Sequence, residues 1–420
     1  MLRSSGLSAT IWSRLSFVSF VSFVSVLSVL PVLALTTTGC GLFPSGGGGA
    51  PPVTGPSTPI GCAAAPTHLA PGGYYVNGNT VCTSANKAHL FHGVDRPSLE
   101  WSPVGENLST ADFQLMASWK ANVVRIALNQ DFWLPGSSLS DPTYPARVDN
   151  AINWAESAGL DVILDLHWSD RGVLGSCNPS DGCQQVMADF NSKTFWSDVA
   201  ARYKNDGRVL FELYNEPHDV PWNVWRSGGS SGGGWTAVGM QQLYDAVRAT
   251  GADNLVIAGG LNYAFDLSGV PLNRLTGYNI LYATHPYNSS GRGPTTWDNA
   301  WGFLTATDPV IVTEFGDYAS SVSDGGTACA SAYSQQLITY ADAHNASWTA
   351  WAWFPGGCAF PSVISDWNGT PNAPGQVVKT ALTGYQDPAS SGTHTGTAGA
   401  DAGNASSDGG GPPPVDASSQ

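Results

Sequence analysis

The sequence predicts a (β/α)8 barrel of the TIM type with a short N-terminal β-hairpin, spanning residues 62–387. Three observations point there. Short apolar runs recur eight times, separated by helix-length segments. The runs are continuous rather than alternating, as in parallel strands buried on both faces. Polar residues collect immediately after the runs, where a barrel of this type carries its chemistry. An open doubly wound sheet is the alternative, but no Gly-x-Gly-x-x-Gly follows the first run.

Taken in order, Tyr74–Val81 reads as a hairpin turning at Asn77-Gly78. The eight runs are His89–Val94, Asn122–Leu128, Asp161–Leu166, Val209–Leu213, Leu255–Ala258, Ile280–Ala283, Val310–Thr313 and Trp348–Ala352. Helices are expected over Ser109–Ala121, where Ser109-x-x-Asp112 resembles a capping box, and over Pro145–Gly159, Phe190–Asn205, Trp235–Gly251 and Ala328–Asn345.

The flanks read differently. Arg3 and Arg14 precede an apolar stretch from Leu15 to Leu35, which ends in Thr36-Thr37-Thr38-Gly39-Cys40. Residues 1–39 therefore read as a signal peptide. The segment's end resembles a bacterial lipobox, which implies a lipid on Cys40. Residues 40–61 form a Gly/Pro-rich tether, and residues 388–420, without Lys or Arg, form a tail unable to bury a core. The expectation is an exported protein of the bacterial cell envelope, in contact with a membrane only through its lipid, with secretion as the alternative.

The 420 residues carry 17 Lys+Arg against 32 Asp+Glu, a formal charge of −15. So acidic a chain is a poor partner for nucleic acid or anionic headgroups. Only 12% of residues are charged, yet there are 16 Trp and 14 Tyr, which suits a rigid, aromatic-lined protein whose ligand need not be charged. With Cys40 set aside, six cysteines remain, and no Cys-x-x-Cys occurs. The expected disulfides join sequence neighbours: Cys62 with Cys82, Cys177 with Cys183, and Cys329 with Cys358, in an oxidising compartment.

At the run ends stand Arg125, His167-Trp168, Asn215-Glu216-Pro217, His285-Pro286-Tyr287, Glu314-Phe315-Gly316 and Trp351-Ala352-Trp353. A lone Glu after a strand is usually a solvated loop residue. Glu216 and Glu314 follow the fourth and seventh runs, which lie across a barrel mouth from each other, so their carboxylates can face one another.

Leu213-Tyr214-Asn215-Glu216-Pro217 and Val312-Thr313-Glu314-Phe315-Gly316 resemble the glycoside hydrolase family 5 cellulases, within the 4/7 superfamily of retaining β-glycosidases. Further matches are Phe91-His92-Gly93-Val94, Val124-Arg125-Ile126, Leu164-Asp165-Leu166-His167-Trp168, Thr284-His285-Pro286-Tyr287 and Trp351-Ala352-Trp353. Asp95 stands where that family often has Asn.

The resemblance implies Glu216 as acid/base and Glu314 as nucleophile of a double displacement, which requires carboxyls about 5 Å apart. Arg125 beside Glu314 would supply the charge and hydrogen bond that keep a nucleophile ionised. A neighbouring anion would hold Glu216 protonated. Asn215 suits a hydrogen bond to a sugar 2-OH, His167 and His285 bonds to the same sugar, Tyr287 a bond to Glu314, and Trp353 a stacking platform. Asp165 is expected to be structural, pointing opposite to His167 or deeper into the barrel. His92 could be either structural or functional. Trp101, Trp133, Trp168, Trp222, Trp225, Trp297 and Trp301 are expected to divide between sugar subsites and loop packing. No cofactor or metal is expected, since no His-x-His ends the first run. The activity expected is a monomeric, endo-acting β-1,4-glucanase on polysaccharide. A β-mannanase, another β-glycanase or an exo-glucosidase is the alternative on the same scaffold, and a catalytically dead glycan-binding protein lies further off.

Overall fold

The computed structural model describes residues 58–177, 183–288, 291–317, 330–358 and 360–386. The expected signal peptide, Cys40, most of the tether, Cys329 and the C-terminal tail lie outside them.

Eight parallel strands close into a barrel. They are β1 (His92–Arg96), β2 (Val123–Asn129), β3 (Asp161–Trp168), β4 (Val209–Glu212), β5 (Val256–Gly259), β6 (Ile280–Thr284), β7 (Val310–Val312) and β8 (Ser347–Ala350). Each pairs with its chain neighbours, and β8 pairs with β1 to complete the ring. Burial on both faces is what the continuous apolar runs encode. One set of side chains (Val94, Val124, Val162, Phe211) joins the surrounding core with the helices. The opposite set (Phe91, Val123, Ile163, Leu210, Ile257, Leu281, Ile311) fills the barrel floor. Gly93 is required by this closure, because a Cβ there would lie 1.9 Å from the Val123 carbonyl oxygen.

The hairpin Tyr74–Asn77/Thr80–Thr83 forms as expected and packs against the floor cluster through Tyr74, Val76 and Val81. Tyr74 Oη donates to Asp161 at 2.5 Å, and Val76 N to Asn279 Oδ1 at 3.1 Å. With that end covered, the C-terminal mouth is left for chemistry. The hairpin also explains why β1 starts at His92 rather than His89: Ala88 bridges to Cys82 and the His89 amide donates to Val81 O.

Ser109 caps the helix Thr110–Ser118 by accepting from Asp112 N. The Asp112 carboxylate instead receives Arg96 Nε at 2.6 Å and Trp353 Nε1 at 2.9 Å. Helices Phe190–Tyr203 and Ala332–Ala343 fall inside the expected segments, and Tyr144–Ser157 starts one residue before its own. The helix expected from Trp235 begins at Met240, since Thr236–Ala237 pairs with Gly229–Ser230. The helix Ala373–Gly384, capped by Asn372, has no counterpart in the sequence reading.

Disulfides Cys62–Cys82 and Cys177–Cys183 form as expected, and Cys358 is disulfide-bonded, while its expected partner Cys329 lies outside the described residues. Bridges closing loops this short each contribute roughly 2–3 kcal/mol by constraining the unfolded chain.

Candidate active site

The inward faces of β1 to β4 deliver a charged layer above the apolar floor. Its centre is Arg125, fully buried. Nε donates to Glu212 Oε2 at 2.5 Å, Nη1 to Glu314 Oε1 at 2.7 Å and to Asp95 Oδ1 at 3.3 Å, and Nη2 to Asn215 Oδ1 at 2.7 Å. Asp165 Oδ2 lies 3.0 Å from Nη2. Burial alone would lower the guanidinium's pKa, but Asp165, Glu212, Glu314 and Asp95 together raise it well above its ordinary value. The carboxyls respond in turn. Burial pushes Asp165 up to about 7 and raises Asp95 and Glu212, with Arg125 opposing in each case. Burial raises Asp95 well above its ordinary value, towards the neutral acid form, which offers the donor-plus-acceptor pattern of an asparagine.

Glu314 follows β7 and accepts from Arg125 on one oxygen and from Tyr287 Oη on the other, at 2.7 Å each. Glu216 follows β4 and is held by His285 Nδ1 at 3.0 Å from Oε1 and by a hydrogen bond from Gln184 Nε2 to Oε2. Burial raises the Glu216 pKa. An oxygen of Glu216 and an oxygen of Glu314 lie within 4.8 Å of each other, and His285 Nδ1 lies 3.0 Å from Glu216 Oε1 and 3.8 Å from Glu314 Oε2.

That trio has the ligand types and spacing for a cation, but its donor atoms are engaged. Both Glu314 oxygens and both His285 nitrogens have partners, and Arg125 places a positive charge directly on Glu314. The set therefore fits a carboxyl pair better than a metal.

Asp165 takes the deeper of its two expected positions. It shares the face of His167, one layer deeper, and its Oδ2 lies 2.6 Å from His167 Nδ1. Burial pushes both His167 and His285 down to about 4, so both imidazoles are neutral near pH 7. His167 then donates from Nδ1 to Asp165, leaving Nε2 as an acceptor, 3.4 Å from Asn215 Nδ2. Arg125 holds the Asn215 oxygen and His167 faces one amide N–H, which leaves the other N–H for a ligand.

Trp353 departs from its expected role. It is fully buried, donates to Asp112 and meets Trp119 edge-on at 4.7 Å, so it offers no face to the cleft. Trp351 takes the place expected of it. Its ring lies parallel to His167 at 5.5 Å and borders Phe360 at 5.4 Å, with Phe354 and the half-buried Trp101 continuing the wall. His92 stacks on Trp348 at 4.6 Å, away from Arg125 and its partners, and is structural. Trp133, Trp225, Trp297 and Trp301 are buried packing, while Trp101, Trp168 and Trp222 remain partly exposed.

Sequence reasoning missed Glu212, Thr313, Gln184 and Trp351. Glu212 had a signal: it shares the inward parity of Leu210 on β4. Gln184 had none, since a long loop carries it. That loop is tied down by the Cys177–Cys183 bridge and by Asp131, which accepts from Gly175 N at 2.8 Å and Cys177 N at 3.1 Å.

An eight-stranded barrel with paired carboxyls at its mouth is the arrangement of a glycosidase. Residues 78–357 match the family model described as Cellulase (glycosyl hydrolase family 5), and the chain belongs to that family. It is 24% identical over 289 residues to endoglucanase MaCel5A of Microbulbifer sp. (strain ALW1), covering 67% of this chain and 51% of that protein. It is 26% identical to cellulase CelDZ1 of Thermoanaerobacterium sp., covering 62% and 64%. The chain thus spans between half and two thirds of the length of these curated relatives. Among solved structures it resembles β-glucanase SdGluc5_26A of Saccharophagus degradans, with a TM-score of 0.60 at 23% identity, covering 78% of this chain and 97% of that one. The catalytic domain of Thermobifida fusca endoglucanase Cel5A matches with a TM-score of 0.58 at 22% identity, covering 74% and 97%.

Proposed function

We propose that the chain hydrolyses β-1,4-glucan internally and with retention of configuration. The observation that carries this reading is the close approach of the Glu216 and Glu314 oxygens, within 4.8 Å. Retaining enzymes hold their carboxyls about 5–5.5 Å apart, whereas inverting ones leave about 6.5–9.5 Å for a water.

Glu314, bonded by Arg125 and Tyr287, attacks the anomeric carbon. The glycosidic C–O bond breaks, and its oxygen leaves with the proton of Glu216. In the second step the Glu216 carboxylate takes a proton from water, whose oxygen displaces Glu314 and frees the sugar. Asn215 donates to the 2-OH, and Trp351 rather than Trp353 offers an apolar face to the ring. The relatives named as endoglucanases, and the cellotetraose bound in a structure of the Saccharophagus glucanase, favour a glucan substrate.

Product analysis on carboxymethyl-cellulose, glucomannan, mannan and laminarin tests it. The expected result is a fast viscosity drop on carboxymethyl-cellulose and cello-oligosaccharide products. Cleavage of mannan alone would make it a mannanase, and cleavage of none would remove the activity.

We further propose that Cys40 carries the lipid that ties the enzyme to the cell envelope. Mass analysis of the mature N-terminus should show an acylated cysteine; an unmodified N-terminus on protein free in the medium would contradict this.

A further inference from the structure

Gln184 reaches Glu216 from a short stretch of chain that is pinned on both sides of it. Ahead of it, Cys183 O accepts from Ser169 N at 3.1 Å, just past β3, and Cys183 Sγ is bonded to Cys177. Cys177 is held in turn at the end of β2. Its N–H donates to Asp131 Oδ2 at 3.1 Å, and its Sγ lies 3.5 Å from Asn129 Nδ2. Both cysteines are buried. Behind Gln184, Gln185 O accepts from Tyr214 Oη at 2.9 Å, and Val186 O accepts from His218 N at 3.0 Å. Tyr214 and His218 flank Glu216, two residues before it and two after. Residues 183–186 therefore run alongside residues 214–218, and the Gln184 amide donates to Glu216 Oε2. A neutral amide suits this place. Its N–H bonds an ionised carboxylate about twice as strongly as a neutral acceptor, so the contact favours the anion without adding a charge. Burial works in the opposite sense on Glu216, and Gln184 is the largest influence against it.

We propose that Gln184 is a positioning residue that holds Glu216 and eases its ionisation, and that the Cys177–Cys183 bridge bears on the reaction by keeping Gln184 in reach. This rests on the acid/base role proposed for Glu216. As the leaving oxygen takes the proton, the charge left on Glu216 falls on a carboxylate already met by an amide N–H. In the second step the same N–H stays on the anion until water gives up its proton. Gln184 itself exchanges no proton.

The other groups that face Glu216 are His285, whose Nδ1 lies 3.0 Å from Oε1, and Glu314 across the cleft. His167, Arg292 and His218 also favour its ionised form, and its charge is felt by Asp165 and Tyr263. Replacing the Gln184 side chain removes none of them.

Two substitutions of opposite sign test this in the full folded enzyme. Gln184→Met keeps the length and loses the donor, while Gln184→Lys adds a charge. The Glu216 carboxyl is followed by 13C NMR without substrate, its signal identified by its loss in Glu216→Gln. Its titration midpoint should rise by about one unit in Gln184→Met, the size of one hydrogen bond to the ionised form, and fall in Gln184→Lys. The alkaline limb of kcat/KM, which reports loss of the acid's proton, should move in the same directions. A role in packing alone would not give opposite shifts. Opening the bridge by Cys177→Ser with Cys183→Ser should raise the midpoint in the parent and add nothing in Gln184→Met. Should that pair not fold, Cys177→Ala with Cys183→Val, which keeps the buried place apolar, replaces it. A midpoint unmoved in Gln184→Met or in Gln184→Lys would overturn the role of Gln184. A midpoint that stays put on opening the bridge, or rises equally in Gln184→Met, would overturn the role of the bridge. The midpoint is read without turnover. Its movement with a fixed alkaline limb would uphold the contact and strike the acid/base role of Glu216 instead.

Discussion

Glu314→Ala is expected to lower kcat/KM on cello-oligosaccharides by at least about 10⁴-fold, the scale seen when a covalent-catalysis residue is removed. The fold should survive. Glu314 sits beyond the last residue of β7, and among the described residues two side chains, Arg125 and Tyr287, donate to it. Arg125 keeps its contacts with Glu212, Asp95, Asp165 and Asn215, so no cation is stranded. Thermal unfolding should therefore stay near that of the parent, and ligand binding should persist. Activity within tenfold of the parent would remove Glu314 from the reaction.

Arg125→Met is expected to give the largest loss of stability. One guanidinium serves four buried carboxyls, and deleting one partner of a buried ion pair costs about 3–5 kcal/mol because the other charge is left unpaired. A fall in Tm of roughly 4–7 °C near neutral pH follows for a domain of this size, whose unfolding entropy is about 0.7 kcal/mol/K. The sign of its pH dependence also follows. Burial raises the pKa values of Asp165, Asp95 and Glu212, and Arg125 opposes the rise. Without Arg125 they rise further. A carboxyl whose folded pKa exceeds its unfolded value, about 4, contributes stability that is present at acid pH. That stability is lost as pH climbs through the folded value, about 7 for Asp165 in the parent. The Tm deficit of Arg125→Met should thus be larger at pH 8 than at pH 5. A deficit equal at both would mean that Arg125 acts through packing alone.

The barrel was legible because eight apolar runs, each bounded by helix-length segments, have few other ways to bury two faces. Boundaries were not legible where tertiary partners claimed residues. The hairpin takes His89 from β1, and Thr236–Ala237 leaves the helix to pair with Gly229–Ser230. The carboxyl pair was legible because Asn-Glu-Pro and Glu-Phe-Gly follow the right strands. Glu212 and Thr313 were hidden at the ends of apolar runs, where only inward parity distinguishes a site residue from a wall residue. Trp351 and Trp353 share parity on paper, but β8 ends at Ala350. Beyond that point alternation no longer decides which ring reaches the cleft and which joins Asp112 and Trp119.

The most direct test of the two carboxylate roles is the anomeric configuration of azide products from two variants given an activated aryl β-glycoside. In Glu216→Ala, a good leaving group needs little protonation, so Glu314 still forms the glycosyl-enzyme. That intermediate stalls for want of a base. Azide needs no base, so it should restore turnover and yield the β-glycosyl azide. In Glu314→Ala there is no nucleophile, and azide can only attack directly, yielding the α-azide. Opposite anomers in this order are the predicted result. The α-azide from Glu216→Ala, or initial release of the α-sugar by the unmodified enzyme, would contradict the assignment of Glu314 as nucleophile and Glu216 as acid/base.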